Sequence, residues 1–498
     1  MSASVSRRLP PAAWALGYLL LVTTGLSWVF AAWSYDDPFI TYRYADNLSR
    51  GLGMVYNPGE RLLSTTTPLF TLLLSLLRPL SPDLHRLAVL IGAFSLGLGG
   101  LFLWQLTNLP GLRFTRWAGL LFYPLFPLAA STLSSETPLY LACCLGAFAF
   151  YRRRQMHLTA VCAALAALTR PDGFLVALVI GLLYLSSHLP RLRQWRQWLS
   201  GLPWLAALIY LSITGTWVIF AWLYYGSPVP LTLYAKQQQA AVTGSTAFLP
   251  GFLTILSWYS AWPQWVQAAL ALPGMVYGMV RFPSLRGLFL WSGLYFIAYS
   301  LLSVTRYFWY YAPLVPLFVV GFGLGLDACR EVARGYLEGK ATTEVVTPRR
   351  RFDLLFTLLV GVVIGTLLVG QTGRLWRMSQ SPDSRLPIYQ AAGLWLREHT
   401  QSEAAVGSFE VGIIGYYSRR PMVDFAGLIQ PEIAVQLGQT GSYLSAARWA
   451  MQHYQPNYLV VMPGAIPEQE IASQCAIQVT FPGADYGYAS DLRIYACP

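Results

Sequence analysis

Two adjacent carboxylates, Asp36 and Asp37, follow a charge-free run from Pro11 to Tyr35. Side by side they repel, and that cost requires a compensating partner: a cation, a bound hydroxyl or a nearby Arg. A divalent cation held by the pair is one solution. The plainer one is a polar terminus that ends an apolar helix. Five more acids complete the set of the first 326 residues: Asp46, Glu60, Asp83, Glu136 and Asp172. Each lies at the end of a long apolar segment or in the loop beside one. Four cations share these neighbourhoods: Arg43, Arg170, Lys236 and Arg306.

Lys236 is the only charged residue between Arg196 and Arg281, and it follows the turn-rich Tyr224-Tyr225-Gly226-Ser227-Pro228. An unpaired ammonium there calls for an anion. Arg306 stands beside Tyr307, Trp309, Tyr310 and Tyr311. A cation among aromatics at headgroup level can hold a lipid phosphate or anchor the chain at the interface. Asn47-Leu48-Ser49 matches a glycosylation triplet, a pattern frequent by chance.

The elements that carry these residues are those of a polytopic helical membrane protein. Of 498 residues, 55% are hydrophobic and only 11% charged, against about 25% charged in soluble domains. The net charge of +12 is mostly an orientation signal and does not point to nucleic acid. Charge-free windows mark about eleven spans, near 12–34, 87–109, 117–135, 137–151, 155–170, 173–190, 199–223, 262–280, 287–304, 310–328 and 354–371. Basic clusters at Arg7–Arg8, Arg113–Arg116, Arg152–Arg154, Arg191–Arg196 and Arg281–Arg286 assign those ends to the cytoplasm. The acids then gather outside, with the N-terminus in and the C-terminus out. Pro68 to Leu77 reads as a re-entrant or interfacial helix with Thr67 as N-cap and Pro68 at the first helical position. Phe39 to Leu52 reads as an amphipathic helix on the outer surface.

The windows 137–151 and 155–170 are short for a bilayer core of about 30 Å. With Arg152–Arg154 at the inner headgroups, Glu136 and Arg170 fall below the outer surface, where they line a wet cavity or pair with each other. Bilayer thinning is the alternative. Asp172 belongs to the same neighbourhood.

After about residue 371 the pattern becomes short and mixed. Strands are expected at 404–409, 422–425, 457–462, 477–481 and 492–496, and helices at 389–399 and 443–453. This divides the chain into a membrane part, 1–371, whose first external loop is 35–66, and an external α/β domain, 372–498. Cys475 and Cys497 flank the last two strands, as a disulfide or as two thiols. Cys143, Cys144 and Cys162 are packing residues. No metal-ligand spacing of Cys or His occurs. Gly407, Gly412 and Gly415 have the wrong spacing for a dinucleotide fingerprint and suit strand-to-helix turns.

The string DDPFITYRYADNLSRGLGMVYNPGERLLSTTTPLFTLLL resembles the first external loop of GT-C glycosyltransferases, and most closely the mycobacterial terminal arabinofuranosyltransferase type. It holds the acidic pair, an Arg-Tyr helix, the Asn-x-Gly-Glu-Arg turn and the Thr-x-Pro-Leu segment in that order. SSETPLYLA, LTRPDGFL, YYGSPVPLTLYAK and GYYSRRPMVDFAGL extend the resemblance. Where that type reads Glu-Gly-Tyr-Thr before the Thr-x-Pro segment, this chain has Leu63-Ser64-Thr65-Thr66-Thr67.

The resemblance implies a plasma-membrane enzyme that moves a sugar, with inversion, from a polyprenyl-phosphate carrier to a glycan, lipid or protein hydroxyl at the external face. It implies a base among Asp36 and Asp37, Asp36 preferred, and a donor phosphate at Lys236 with Arg306 or Arg43 as second partner. Glu136, Arg170 and Asp172 would line the cavity. A flippase of lipid-linked sugar and a polysaccharide ligase or polymerase are the rival classes. The flippase is disfavoured by the lack of internal repeats and the placement of charges at helix ends.

Overall fold

The computed structural model describes residues 12–188, 201–242, 244–340 and 347–498. The orientation signals at Arg7, Arg8, Arg191, Arg193 and Arg196, and residues 341–346 of the polar loop, lie outside the described residues. Among the described residues six helices are long and apolar enough to cross a membrane: Ala12–Val29, Leu84–Leu106, Trp204–Tyr225, Pro283–Leu302, Phe308–Tyr336 and Arg351–Ser379. Thr137–Arg152, Met156–Thr169, Phe174–His188 and Trp262–Arg281 pack among them. Their shared core runs through Phe122, Tyr123, Tyr140, Trp291 and Phe322.

Four expectations are corrected. The window 117–135 is not one helix. Arg113–Phe122 stops before Pro124, and after a break a single turn, Pro127–Ala130, precedes the loop to Glu136. Two prolines in four residues remove backbone donors and interrupt the ladder. The loop region after Gly226 holds two helices, Leu231–Ala241 and Phe248–Tyr259, too short to register as spans. The helix Asp37–Ser49 does not lie on a surface: every residue from Pro38 to Asn47 is buried. Asn47 donates to the carbonyls of Val55 and Tyr56, so its triplet is not presented for modification.

The first-loop helix is buried because a second core passes through it. Phe39, Tyr42 and Tyr44 pack in one cluster with Ile388, Val406, Ile413 and Ile494. The helix Pro68–Leu77 begins after Thr67 as expected, but the Thr67 hydroxyl does not cap it. It meets the hydroxyls of Thr41 and Thr65 instead, at 3.2 Å each.

The last 120 residues carry a five-stranded sheet: β1 Val406–Ser408, β2 Met422–Asp424, β3 Tyr458–Val461, β4 Ala476–Phe481 and β5 Leu492–Ala496. The order is β2-β1-β3-β5-β4. β2, β1 and β3 run parallel, with Val406 between Met422 and Tyr458, while β5 is antiparallel to both β3 and β4. Ala476 pairs with Ala496, so the next residues outward, Cys475 and Cys497, lie side by side and are joined as a disulfide, Cα to Cα 4.3 Å. Arg385–His399, Gly412–Ser418, Pro431–Thr440 and Tyr443–Tyr454 flank the sheet.

Candidate functional site

The helix Asp37–Ser49 separates its two acids. Successive helical residues point about 100° apart, and Asp36 and Asp37 face opposite neighbours. Asp36 is buried. Its two carboxylate oxygens accept the backbone N–H groups of Gly412 (2.9 Å) and Ile413 (2.8 Å), the open first turn of Gly412–Ser418. Any Cβ at residue 412 would collide with the Asp36 backbone, which makes glycine necessary there. Burial raises the Asp36 pKa, against the lowering by the Ile413 N–H and Arg385. Glu410 lies in the same pocket and is raised well above the usual carboxylate range by burial and by Asp36. Arg385 pairs with Glu410 at 2.9 Å.

Asp37 instead faces a cavity of about 710 Å³. Lys236, at the middle of Leu231–Ala241, reaches it from the other side. Its ammonium donates to Asp37 Oδ2 at 2.6 Å. Three ring faces surround the same nitrogen: Tyr307 at 4.1 Å, Trp309 at 5.1 Å and Tyr310 at 5.9 Å from the ring centroids. Burial works against the charged ammonium, but Asp37 and the neighbouring tyrosines more than offset it, and the Lys236 pKa is raised. A strand-like clasp sets the cage: Phe248 N–H donates to Val304 O, Arg306 N–H to Thr246 O, and the Thr305 hydroxyl to the Lys236 carbonyl.

The other end of the cavity holds Glu136, Arg170 and Asp172. Arg170 ends Met156–Thr169 in an extended conformation, as a residue before proline prefers. Its guanidinium meets Glu136 at 3.2 Å and Asp172 at 3.1 Å. Tyr299 closes the group, accepting from Arg170 at 2.8 Å and donating to Asp172 at 2.6 Å. Tyr310 stands between the two ends, with Arg170 5.5 Å from the same ring centroid that faces Lys236. Hydroxyls of Thr41, Ser64, Thr65, Thr66, Thr67 and Ser135 line the polar wall. One side is apolar and exposed: Phe174, Val229, Leu233 and Leu301 line the cavity yet are 41–80% exposed.

The structure therefore unites Asp37, Lys236, Glu136, Arg170 and Asp172 and sets aside three expected residues. Asp36 is turned to the sheet side, so the acidic pair does not converge on one divalent cation. Among the described residues no group of three or more His, Cys, Asp or Glu is placed to hold a metal. Arg43 is buried against the C-terminal segment. Its three nitrogens donate to the carbonyls of Tyr56, Gly415 and Arg420, outside the cavity lining. Arg306 lies over Trp258 at 5.0 Å, outside the cavity lining. The aromatics adjacent to it in sequence enclose Lys236, which is paired and helical, not a lone charge in a loop. Tyr299 was missed; its signal was a polar group near the C-terminal end of an apolar run.

Two solved structures share this fold. ArnT from Cupriavidus metallidurans, bound to undecaprenyl phosphate, superposes with a TM-score of 0.60 at 15% identity, covering 98% of each chain. The oligosaccharyltransferase of Archaeoglobus fulgidus gives 0.57 at 15% identity over 91% of this chain and 70% of its own. Residues 380–495 match a family model described as a domain of unknown function, DUF8728. No curated protein matches the sequence.

Proposed function

We propose that the chain is a membrane glycosyltransferase that takes a sugar from a polyprenyl-phosphate carrier and passes it, with inversion, to an acceptor hydroxyl at the outer face of the plasma membrane. The observation that carries this reading is the meeting of Asp37 and Lys236 at 2.6 Å in a cavity whose one wall is exposed and apolar. A carboxylate, an ammonium and an apolar flank are the three things such a donor needs. The flank suits the prenyl chain, which has no polar group to satisfy. Lys236 suits the phosphate, and Asp37 the incoming hydroxyl.

In the transfer, the acceptor oxygen forms a bond to the anomeric carbon as the carbon–oxygen bond to phosphate breaks. The bonding pair leaves with the lipid phosphate, and the hydroxyl proton passes to Asp37. Lys236 stabilises the negative charge that develops on the leaving group. Asp36 takes no part in the bond changes; it holds the helix that positions Asp37. Glu136 and Asp172, restrained by Arg170, present carboxylate oxygens suited to sugar hydroxyls.

That ArnT was solved with undecaprenyl phosphate supports a lipid phosphate as part of the substrate. The reading includes the N-terminus inside, an external α/β domain at 372–498, and a pentose or hexose as cargo, the arabinofuranosyl type being the finer expectation. Purified protein in lipid nanodiscs, given radiolabelled polyprenyl-phosphate sugars and an acceptor glycan, should release lipid phosphate and glycosylate the acceptor. Movement of the lipid-linked sugar across a sealed vesicle without release of lipid phosphate would overturn the assignment in favour of a flippase.

A further inference from the structure

We infer that the Asp37–Lys236 pair is a latch: an anion of the lipid-phosphate class opens it by competing with Asp37 for Lys236, and the base is masked until it does. The inference rests on the donor reading above. Among the described residues Asp37 is the only hydrogen-bonding partner of the Lys236 ammonium; the other groups around it are ring faces. An ammonium carries three donors, so the cage leaves Lys236 able to turn toward an arriving anion. The Asp37 Oδ2 that faces the cage already accepts from Lys236 at 2.6 Å, so it opens to the acceptor hydroxyl only once the ammonium turns away.

The Arg170 end cannot play this part. Arg170 is held by two carboxylates and Tyr299, a group of net charge −1 when both carboxylates are ionised and the phenol keeps its proton. A phosphate approaching it meets more repulsion than attraction. The cavity thus offers one exchangeable cation.

The exchange also accounts for turnover. When Asp37 takes the acceptor proton it becomes neutral and loses its claim on Lys236, as the leaving phosphate gains charge. When Asp37 ionises again it competes once more, and helps to expel the lipid phosphate. Asp37 is therefore both base and release device, and donor must bind before the acceptor hydroxyl can be activated.

The prediction runs against the usual effect of deleting a site residue. Asp37→Asn should bind undecaprenyl phosphate more tightly than the wild type, by about tenfold, within the common range of coupling between competing groups. Lys236→Met should bind it more weakly, and the Asp37→Asn/Lys236→Met double variant should lose the gain. Undecaprenol, which lacks the anion, should bind all four proteins alike. Full-length protein in nanodiscs, titrated by intrinsic tryptophan fluorescence, gives the readout, and Asp37→Ser replaces Asp37→Asn if the amide does not fold. Equal or weaker binding of undecaprenyl phosphate by the Asp37 variants would overturn the latch while leaving the donor reading intact. If the wild type does not prefer undecaprenyl phosphate to undecaprenol, the donor reading fails and the latch with it.

Discussion

At one end of the cavity a cation is held by two carboxylates and a phenol; at the other, by one carboxylate and three ring faces. Arg170 keeps a fixed geometry because its planar fork is matched on several sides at once. Lys236 has a compact charge on a flexible stem, and its one hydrogen bond can be exchanged. Both cations are buried and both touch Tyr310, so depth and polarity do not distinguish them. The number of competing anions does. An over-paired cation is scaffold, and a singly paired one can accept a ligand.

The comparison breaks most visibly at Arg170. Arg170→Met leaves Glu136 and Asp172 buried without their counter-charge, and removing one member of a buried ion group costs about 3–5 kcal/mol. The expected outcome is a large drop in melting temperature and in yield of folded protein. A variant that melts like the wild type would show that this end is not the rigid one. At the exchangeable end the larger effect is on rate. Asp37→Asn should lower sugar transfer by about a thousandfold, within the general-base range; retained turnover in folded protein would remove Asp37 as the base. Lys236→Met should slow transfer by about a hundredfold, measured with polyprenyl-phosphate sugar at saturation. Unchanged rate and donor affinity would reduce Lys236 to a structural partner of Asp37.

The smallest effect sharpens the division between the neighbouring acids. Asp36→Asn weakens the cap on Gly412–Ser418 by about 1 kcal/mol and leaves turnover within about tenfold of wild type. If Asp36→Asn abolished transfer in protein of normal melting behaviour, the assignment of the two acids would have to be reversed.

Much of the helical framework was legible because long apolar runs are hard to mistake, and the strands lie in the short runs read for them. The site was legible in part. Lys236 stood out as a solitary charge, and Glu136 and Arg170 as charges at the ends of short apolar helices. Which residue of the Asp36-Asp37 pair faces the cavity was hidden, because it depends on backbone donors 376 and 377 positions downstream. The cage was assigned to Arg306 for a similar reason. Tyr307, Trp309 and Tyr310 adjoin Arg306 in sequence, but the pairing of Ala247 with Thr305 turns their faces to Lys236. Local spacing carries no information about such a clasp. Arg43 misled for the opposite reason: a cation beside acids suggested an anion site, whereas three carbonyl groups from distant turns take up its nitrogens.

The join between the first loop and the sheet bears on how the protein can be cut. The family model begins at residue 380, which invites expression of 380–498 as a soluble fragment. Yet the Asn57 side chain completes the backbone pairing of Met422, the end residue of an edge strand, through both its N–H and its carbonyl. Asp36 caps Gly412–Ser418, and Arg43 ties down Gly415 and Arg420. A fragment starting at 380 would carry a bare strand end, an uncapped turn and the exposed apolar faces of Ile388, Ile413 and Ile494. Those are the ingredients of self-association. A fusion that restores residues 35–66 ahead of the sheet supplies the missing partners, so the sensible boundary for protein engineering is a discontinuous one.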